Sequence, residues 1–324
     1  MKLATLANGT RDGRLVIVSR DHSRAVPAEG IAATMQDALD RWSEVDAPLR
    51  ALAERLERGD LPDATAFVAA DALAPLPRAW QWLDGSAYDS HGELMRLATG
   101  RPAPPTDAPL MYQGLSHTFY SGTDDFPTPS EANNIDFEGE FGIIIDDVPM
   151  GTTSEQAAKH IKLIVQINDW SLRGFALRES KIGFGWIQAK PACSVAPIAI
   201  TPDELGDNWR DGRVDVPLIV DWNGERFGAA EGYLMTWSFP DHIAHAAKTR
   251  ALCAGTIIGS GTVSNENYRE VGSSCIAERR GIETIDEGKP RTGFMKFGDR
   301  VRMEATSPDG TPLFGVIDQR VVQG

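Results

Sequence analysis

Polar and apolar positions first follow a strand-like rhythm along this chain. Residues 3–6 and 15–19 are apolar and β-branched, and Asn8, Gly9, Asp12 and Gly13 separate them, which predicts a short hairpin. The period then becomes helical. Behind a Thr34…Asp37 capping box, Met35, Ala38, Leu39, Trp42 and Val45 recur at helical spacing up to Pro48. Leu49, Leu52 and Leu56 form a second run that stops at Gly59. Residues 1–75 therefore read as a small α+β domain. Pro75, Pro77, Pro102, Pro104, Pro105 and Pro109 punctuate the next stretch and predict a boundary or a surface-crossing linker. Trp80, Trp82 and Tyr88 within it read as area-burying packing residues.

Beyond residue 110 the pattern is mostly strand. Asn223-Gly224 between two apolar runs is a strong hairpin signal, and Ser307-Pro308-Asp309-Gly310 predicts another turn. Two helices are expected to interrupt the strands. One runs from a Thr153…Gln156 capping box through Ala157, Ile161 and Ile164, and one from Ser238 through Ile243, Ala247 and Ala251 to Gly255. The expected fold is α+β, with a small N-terminal domain over 1–75 and a larger β-rich roll or sandwich with a few helices over 76–324.

Composition narrows the function classes. With a formal charge of −14, the chain is a poor match for phosphate backbones and anionic membranes, so neither nucleic acid nor membrane is an expected partner. Three cysteines without CxxC spacing indicate neither a disulfide framework nor a zinc ribbon, and Cys253 and Cys275 read as buried small apolar residues. Gly and charge come too early near the N-terminus for a signal peptide, and no apolar run approaches ~18 residues. The expected compartment is the cytoplasm.

The most informative stretch is Asp136-Phe137-Glu138-Gly139-Glu140, which runs into the apolar residues 141–145. On a strand the three acids share one face, and like charges so placed cost up to about 1 kcal/mol in water and far more in a core. Either the strand is half-exposed with its acidic face in solvent, or a hard divalent cation compensates. Asp169, in Asn168-Asp169-Trp170-Ser171-Leu172-Arg173, is the candidate third carboxylate; a helix cap or turn is its other reading.

These motifs, with Lys190 ahead of Pro197 and Ser260-Gly261-Thr262-Val263-Ser264 later, resemble the fumarylacetoacetate hydrolase superfamily in order and spacing from about residue 110 to the end. The first 75 residues resemble the small N-terminal domain that longer members carry. The resemblance implies that Glu138, Glu140 and Asp169 bind Mg²⁺ (or Ca²⁺ or Mn²⁺), with Asp136 either a further ligand or turned to neighbouring donors. It implies that Arg173 and Lys190 hold a substrate carboxylate and steady developing negative charge, and that Thr262 and Tyr120 approach the substrate. Salt bridges, surface exposure and a plain turn remain the alternatives for Arg173, Lys190 and Thr262. The implied activity is hydrolysis of a C–C bond in a small diketo or 2-oxo acid of the fumarylacetoacetate or acylpyruvate kind, in aromatic or sugar-acid catabolism. Decarboxylation, hydration or isomerisation, or a non-catalytic metal-containing protein that binds a small acid, are the alternatives. A homodimer is the implied assembly.

The chain departs from the pattern around His117-Thr118-Phe119-Tyr120. Members that hydrolyse C–C bonds place a His after an aromatic pair and, in some, an acidic ligand before it. Here the expected His position falls near Asp125, His117 lies on the other side of the pair, and Thr118 stands at the acidic position. Asp125 or His117 is then the candidate base. Glu278, expected on a strand after Ser260-Gly261-Thr262, is a further acid/base candidate, with a salt bridge to Arg279 or Arg280 as its other reading. His242 and His245 at helical spacing, and His22, His91 and His160, carry no assigned role.

Overall fold

In the computed structural model, which describes residues 1–99 and 107–324, the chain forms a small N-terminal α+β unit joined to a large mixed sheet with helices. The opening hairpin pairs Lys2–Leu6 with Arg14–Val18, as the alternation predicts. Half of the capping box is present: Thr34 Oγ1 accepts from Asp37 N at 3.1 Å, but Asp37 Oδ2 accepts from Ala33 N, and the helical region is divided differently from its two apolar runs. It breaks at Arg41, and Trp42–Arg58 then continues through Pro48 to Gly59, whose φ of 76° lets its N–H reach back to the last carbonyls.

Lys2–Leu6 also pairs with Ile198–Ile200, so the N-terminal hairpin extends the central sheet. From there the strand order is Ile198–Ile200, Ile161–Asn168, Gly139–Ile145, Ile257–Gly259, Trp82–Gly85 and Met111–Gln113 at the edge. The helices of the N-terminal unit cover one face, where Leu39, Val45, Leu49 and Leu56 join the same cluster as Ile144, Leu163, Val165 and Ile257. The other face packs on a second, five-stranded sheet through Phe141, Leu218, Met303 and Phe314. That second sheet contains both predicted turns. Asn223 (φ 52°) and Gly224 (φ 83°) join Pro217–Trp222 to Glu225–Glu231, and Gly310 closes on Ser307 O at 2.8 Å.

Several expectations fail here. Trp80 is 68% exposed, and the helix from Ser238 ends at Ala246, short of Gly255. The helix after Thr153 ends at Ala157, and Ile161–Asn168 is a central strand. Its run Ile-Lys-Leu-Ile-Val-Gln-Ile is almost entirely apolar, so both periods fit it, and burial on both faces of a β-branched segment decides for strand. The segment holding Glu278 is the helix Ile276–Glu287, not a strand. Cys253 is exposed, whereas Cys193 and Cys275 are buried. Among the described residues no helix is long and apolar enough to cross a membrane.

Candidate metal centre and active site

The central sheet and the segments that adjoin it bring four buried carboxyls together, Asp84, Glu138, Glu140 and Asp169, while Asp136 is buried to one side. Asp84 lies on Trp82–Gly85, in parallel register with Gly259. Glu140 lies one strand further on, in Gly139–Ile145. Asp169 follows Ile161–Asn168, and its N–H donates to Glu138 O at 2.9 Å. Carboxylate oxygens of Asp84, Glu140 and Asp169 all lie within 4.8 Å of one another. Burial holds the Glu140 carboxyl well above its usual pKa, and the neighbouring Asp84 and Asp169 charges add to it. Asp84 is raised likewise, by burial and then by Asp169.

Neither oxygen of Glu140 has a hydrogen-bond partner although both are buried, an arrangement that costs free energy unless a cation or a shared proton satisfies it. Gly259 keeps the space open. A Cβ there would collide with Asp84 Oδ1 and come within 3.0 Å of Glu140 Oε2. An all-oxygen set of three carboxylates with orphaned lone pairs fits a hard divalent ion.

Glu138 is placed differently. Its oxygens are taken by Arg173 Nη2 (2.6 Å), Ser171 Oγ (3.1 Å) and the Lys190 ammonium. Burial opposes ionisation of Glu138, yet the Arg173 and Lys190 charges hold it below the usual carboxylate range. Lys190 bridges from Glu138 to Asp169 Oδ2, so a cation already lies beside the cluster. Asp169 is further held by Tyr112 Oη at 2.7 Å and by the Cys193 thiol at 3.0 Å. Asp136 faces away from the cluster. It accepts from Ile276 N (2.7 Å) and Ala277 N (2.9 Å) at the start of the Ile276–Glu287 helix, and from Arg173 Nε at 2.9 Å.

That helix carries Glu278, fully buried in its first turn. Glu278 Oε1 accepts from Ser264 Oγ and lies 3.5 Å from His91 Nδ1, while Arg279 and Arg280 turn elsewhere, to Phe227 O and Thr292 O. His91 sits on Asp89–Thr99, which packs against the Glu278 helix. Thr262 is buried in the loop after Ile257–Gly259, which is fixed by Gly261 N to Asp84 Oδ1 (3.2 Å) and Val263 N to Gly139 O (3.0 Å).

The profile of the fumarylacetoacetate (FAA) hydrolase C-terminal region matches residues 81–322, and that of fumarylacetoacetase N-terminal domain 2 matches residues 1–78. The chain belongs to the fumarylacetoacetate hydrolase family. A 2,4-didehydro-3-deoxy-L-rhamnonate hydrolase of Sphingomonas sp. (strain SKA58) is 24% identical over 219 residues, 66% of this chain and 65% of that protein. The match thus spans less than two thirds of the relative's length. Among solved structures, maleylpyruvate hydrolase from Sphingobium sp. SYK-6 in complex with manganese(II) and pyruvate aligns with a TM-score of 0.65 at 18% identity, covering all of both chains. Fumarylpyruvate hydrolase from Pseudomonas aeruginosa, in complex with Mn²⁺ and pyruvate, aligns with a TM-score of 0.57 at 15% identity over 77% of this chain and 92% of that one. These likenesses show the fold.

Against the fumarylacetoacetate hydrolase pattern, two of the candidate bases are misplaced. His117 and Asp125 are exposed, and among the described residues neither makes a hydrogen bond or ion pair. Tyr120 packs edge-on against Phe126 at 6.1 Å, and Phe126 stacks on Trp170, so the aromatic pair belongs to the core around strand Tyr120–Ser121. An acid and an imidazole lie elsewhere, Asp84 in the carboxylate cluster and His91 against Glu278. The one signal the sequence offers for them is their order, Asp84, then the aromatic Tyr88, then His91.

Proposed function

We propose that the chain is a divalent-metal-dependent hydrolase that cleaves a C–C bond in a small 2-oxo or 1,3-diketo acid of the acylpyruvate kind. The observation that carries the reading is the Asp84–Glu140–Asp169 cluster with its orphaned Glu140 oxygens, set beside the His91–Glu278 pair. The relatives solved with Mn²⁺ and pyruvate support it. Asp84, Glu140 and Asp169 would hold the ion, with Glu138 next to them. Bound there, it would supply Lewis acidity to the adjacent oxygens of the substrate head.

The protein's own groups supply the rest. Arg173, held by Asp136 and Glu138, presents a planar cation to the substrate carboxylate. With His91 Nδ1 turned to Glu278, Nε2 is left to take a proton from water. The resulting hydroxide adds to the acyl carbon. The C–C bond breaks with its electron pair moving into the pyruvate half, and His91 returns the proton to that carbon. Lys190 steadies the negative charge that develops on the departing half.

Turnover of acylpyruvates with Mn²⁺ or Mg²⁺ tests the proposal: the wild type should release pyruvate, and Glu140→Ala should not. A second reading, a metal-independent binder of small acids, is favoured by one observation, the Lys190 ammonium already neutralising Glu138 and Asp169. It requires saturable 2-oxo acid binding in the presence of a chelator, with no product.

A further inference from the structure

Between Arg173 and Lys190 the chain leaves the site and returns to it. Helix Arg173–Ile182 starts at one cation, and the 183–189 segment leads back to the other. The neck of this excursion is closed by Leu172 N donating to Ala189 O at 2.8 Å. Its outer part is exposed and apolar: Phe184 is 97% and Ile187 84% accessible, with Gly183 (φ 77°) and Gly185 (φ 105°) turning the chain. Such a segment has little core of its own to hold it.

Trp186 meets the Tyr112 ring edge-on at 6.5 Å, and one carboxylate ties down the backbone. The Glu179 carboxylate accepts three successive backbone N–H groups, from Ile187 (3.1 Å), Gln188 (2.8 Å) and Ala189 (3.0 Å). Consecutive N–H groups converging on a carboxylate form a tight anion cradle. Burial alone would raise the Glu179 pKa, but these N–H groups lower it overall. The next residue is Lys190, whose ammonium lies on Glu138 and Asp169 and 5.6 Å from the Tyr112 ring centroid.

We propose that Glu179 is a positioning residue that holds Lys190 on the site carboxylates and thereby sets how tightly the site takes a divalent ion. This rests on the metal reading above. A fixed ammonium beside Asp169 repels an incoming dication and occupies lone pairs the dication would use, so loosening Lys190 strengthens ion binding. Ordinary loop damage would weaken it. The two roles therefore give opposite signs.

The test is calorimetric titration of Mn²⁺ into the full chain as wild type, Glu179→Ala, Lys190→Met and the double variant, with Glu179→Gln as a milder substitute and circular dichroism as the fold check. Lys190→Met should tighten Mn²⁺ about tenfold and Glu179→Ala about threefold, within the usual span of coupling between neighbouring sites. The double variant should match Lys190→Met alone, since both changes remove one effect. Tightening in Lys190→Met with unchanged or weaker binding in both Glu179 variants overturns the proposal. So does Lys190→Met binding no tighter than wild type. Absence of Mn²⁺ binding in all the proteins sinks the metal reading instead.

Discussion

His91 Nδ1 faces Glu278 Oε1 across 3.5 Å, joining two helices that lie far apart in sequence. The second oxygen of Glu278 and the Nδ1 of His91 are buried without hydrogen-bond partners, and Ser90 Oγ meets Ser264 Oγ at 3.0 Å beside them. His91→Ala should lower kcat by about 10²–10⁴-fold, the usual contribution of a positioned general base, with KM nearly unchanged. Glu278→Gln should cost less and leave the fold intact. Steady-state kinetics on acylpyruvates would show it; a His91→Ala enzyme at wild-type kcat would remove the pair from the mechanism.

Glu140→Gln should separate metal binding from folding. The amide removes a carboxyl whose ionisation burial and neighbouring acids penalise, so the metal-free protein should gain about 1–3 kcal/mol near neutral pH. The same variant should lose the rise in Tm that Mn²⁺ gives the wild type. Thermal unfolding with and without Mn²⁺ reads both effects. A Mn²⁺-dependent rise that survives in the variant would show that Glu140 is not a ligand.

Gly259→Ala should abolish ion binding with every carboxylate residue kept, because the added methyl meets Asp84 Oδ1 and the Trp82 ring and approaches Glu140 Oε2, so circular dichroism must show the fold intact. Calorimetry with Mn²⁺ decides this. Wild-type affinity in Gly259→Ala would place the ion elsewhere.

Away from the site, burial depresses His22 from 6.5 to about 4, with the Lys2 charge adding to it. The folded state thus binds fewer protons than the unfolded one between those values. Stability from this group is complete above pH 6.5 and declines as pH falls toward 4. His22→Asn, chosen because His22 has φ 60° and Asn tolerates that region, should flatten this acid limb in a Tm-against-pH series. An unaltered acid limb would show that other groups govern it.

The Asn168–Arg173 segment, Lys190 and the acids at 138 and 140 were legible as short local patterns, but the shared strand face was not: the strand breaks between Ile135–Asp136 and Gly139–Ile145, and Asp136 turns to the Ile276 helix. Glu140, Asp169, Arg173 and Lys190 do meet around one centre. Asp84 and His91 were not found, because what brings Asp84 to the site is parallel pairing of Trp82–Gly85 with a strand some 175 residues later, which no local period encodes. The Pro-rich surroundings of that segment also read as linker. Glu278 was found but placed on the wrong element. Its helix is capped by Cys275 Sγ and by the Asp136 carboxylate, neither of which is a usual N-terminal signal.

The parallel contact between Asp84 and Gly259 also dictates an order of events during folding. Neither hairpins nor single helices can bring these two residues together; the strands between them must already be aligned. A chain emerging from the ribosome has made Glu140 and Asp169 long before Ile257–Gly259 exists to seat Asp84. The three carboxyls are thus gathered only once the sheet is complete, so on the metal reading proposed above an ion would reward the finished sheet without serving as a template for the nascent one.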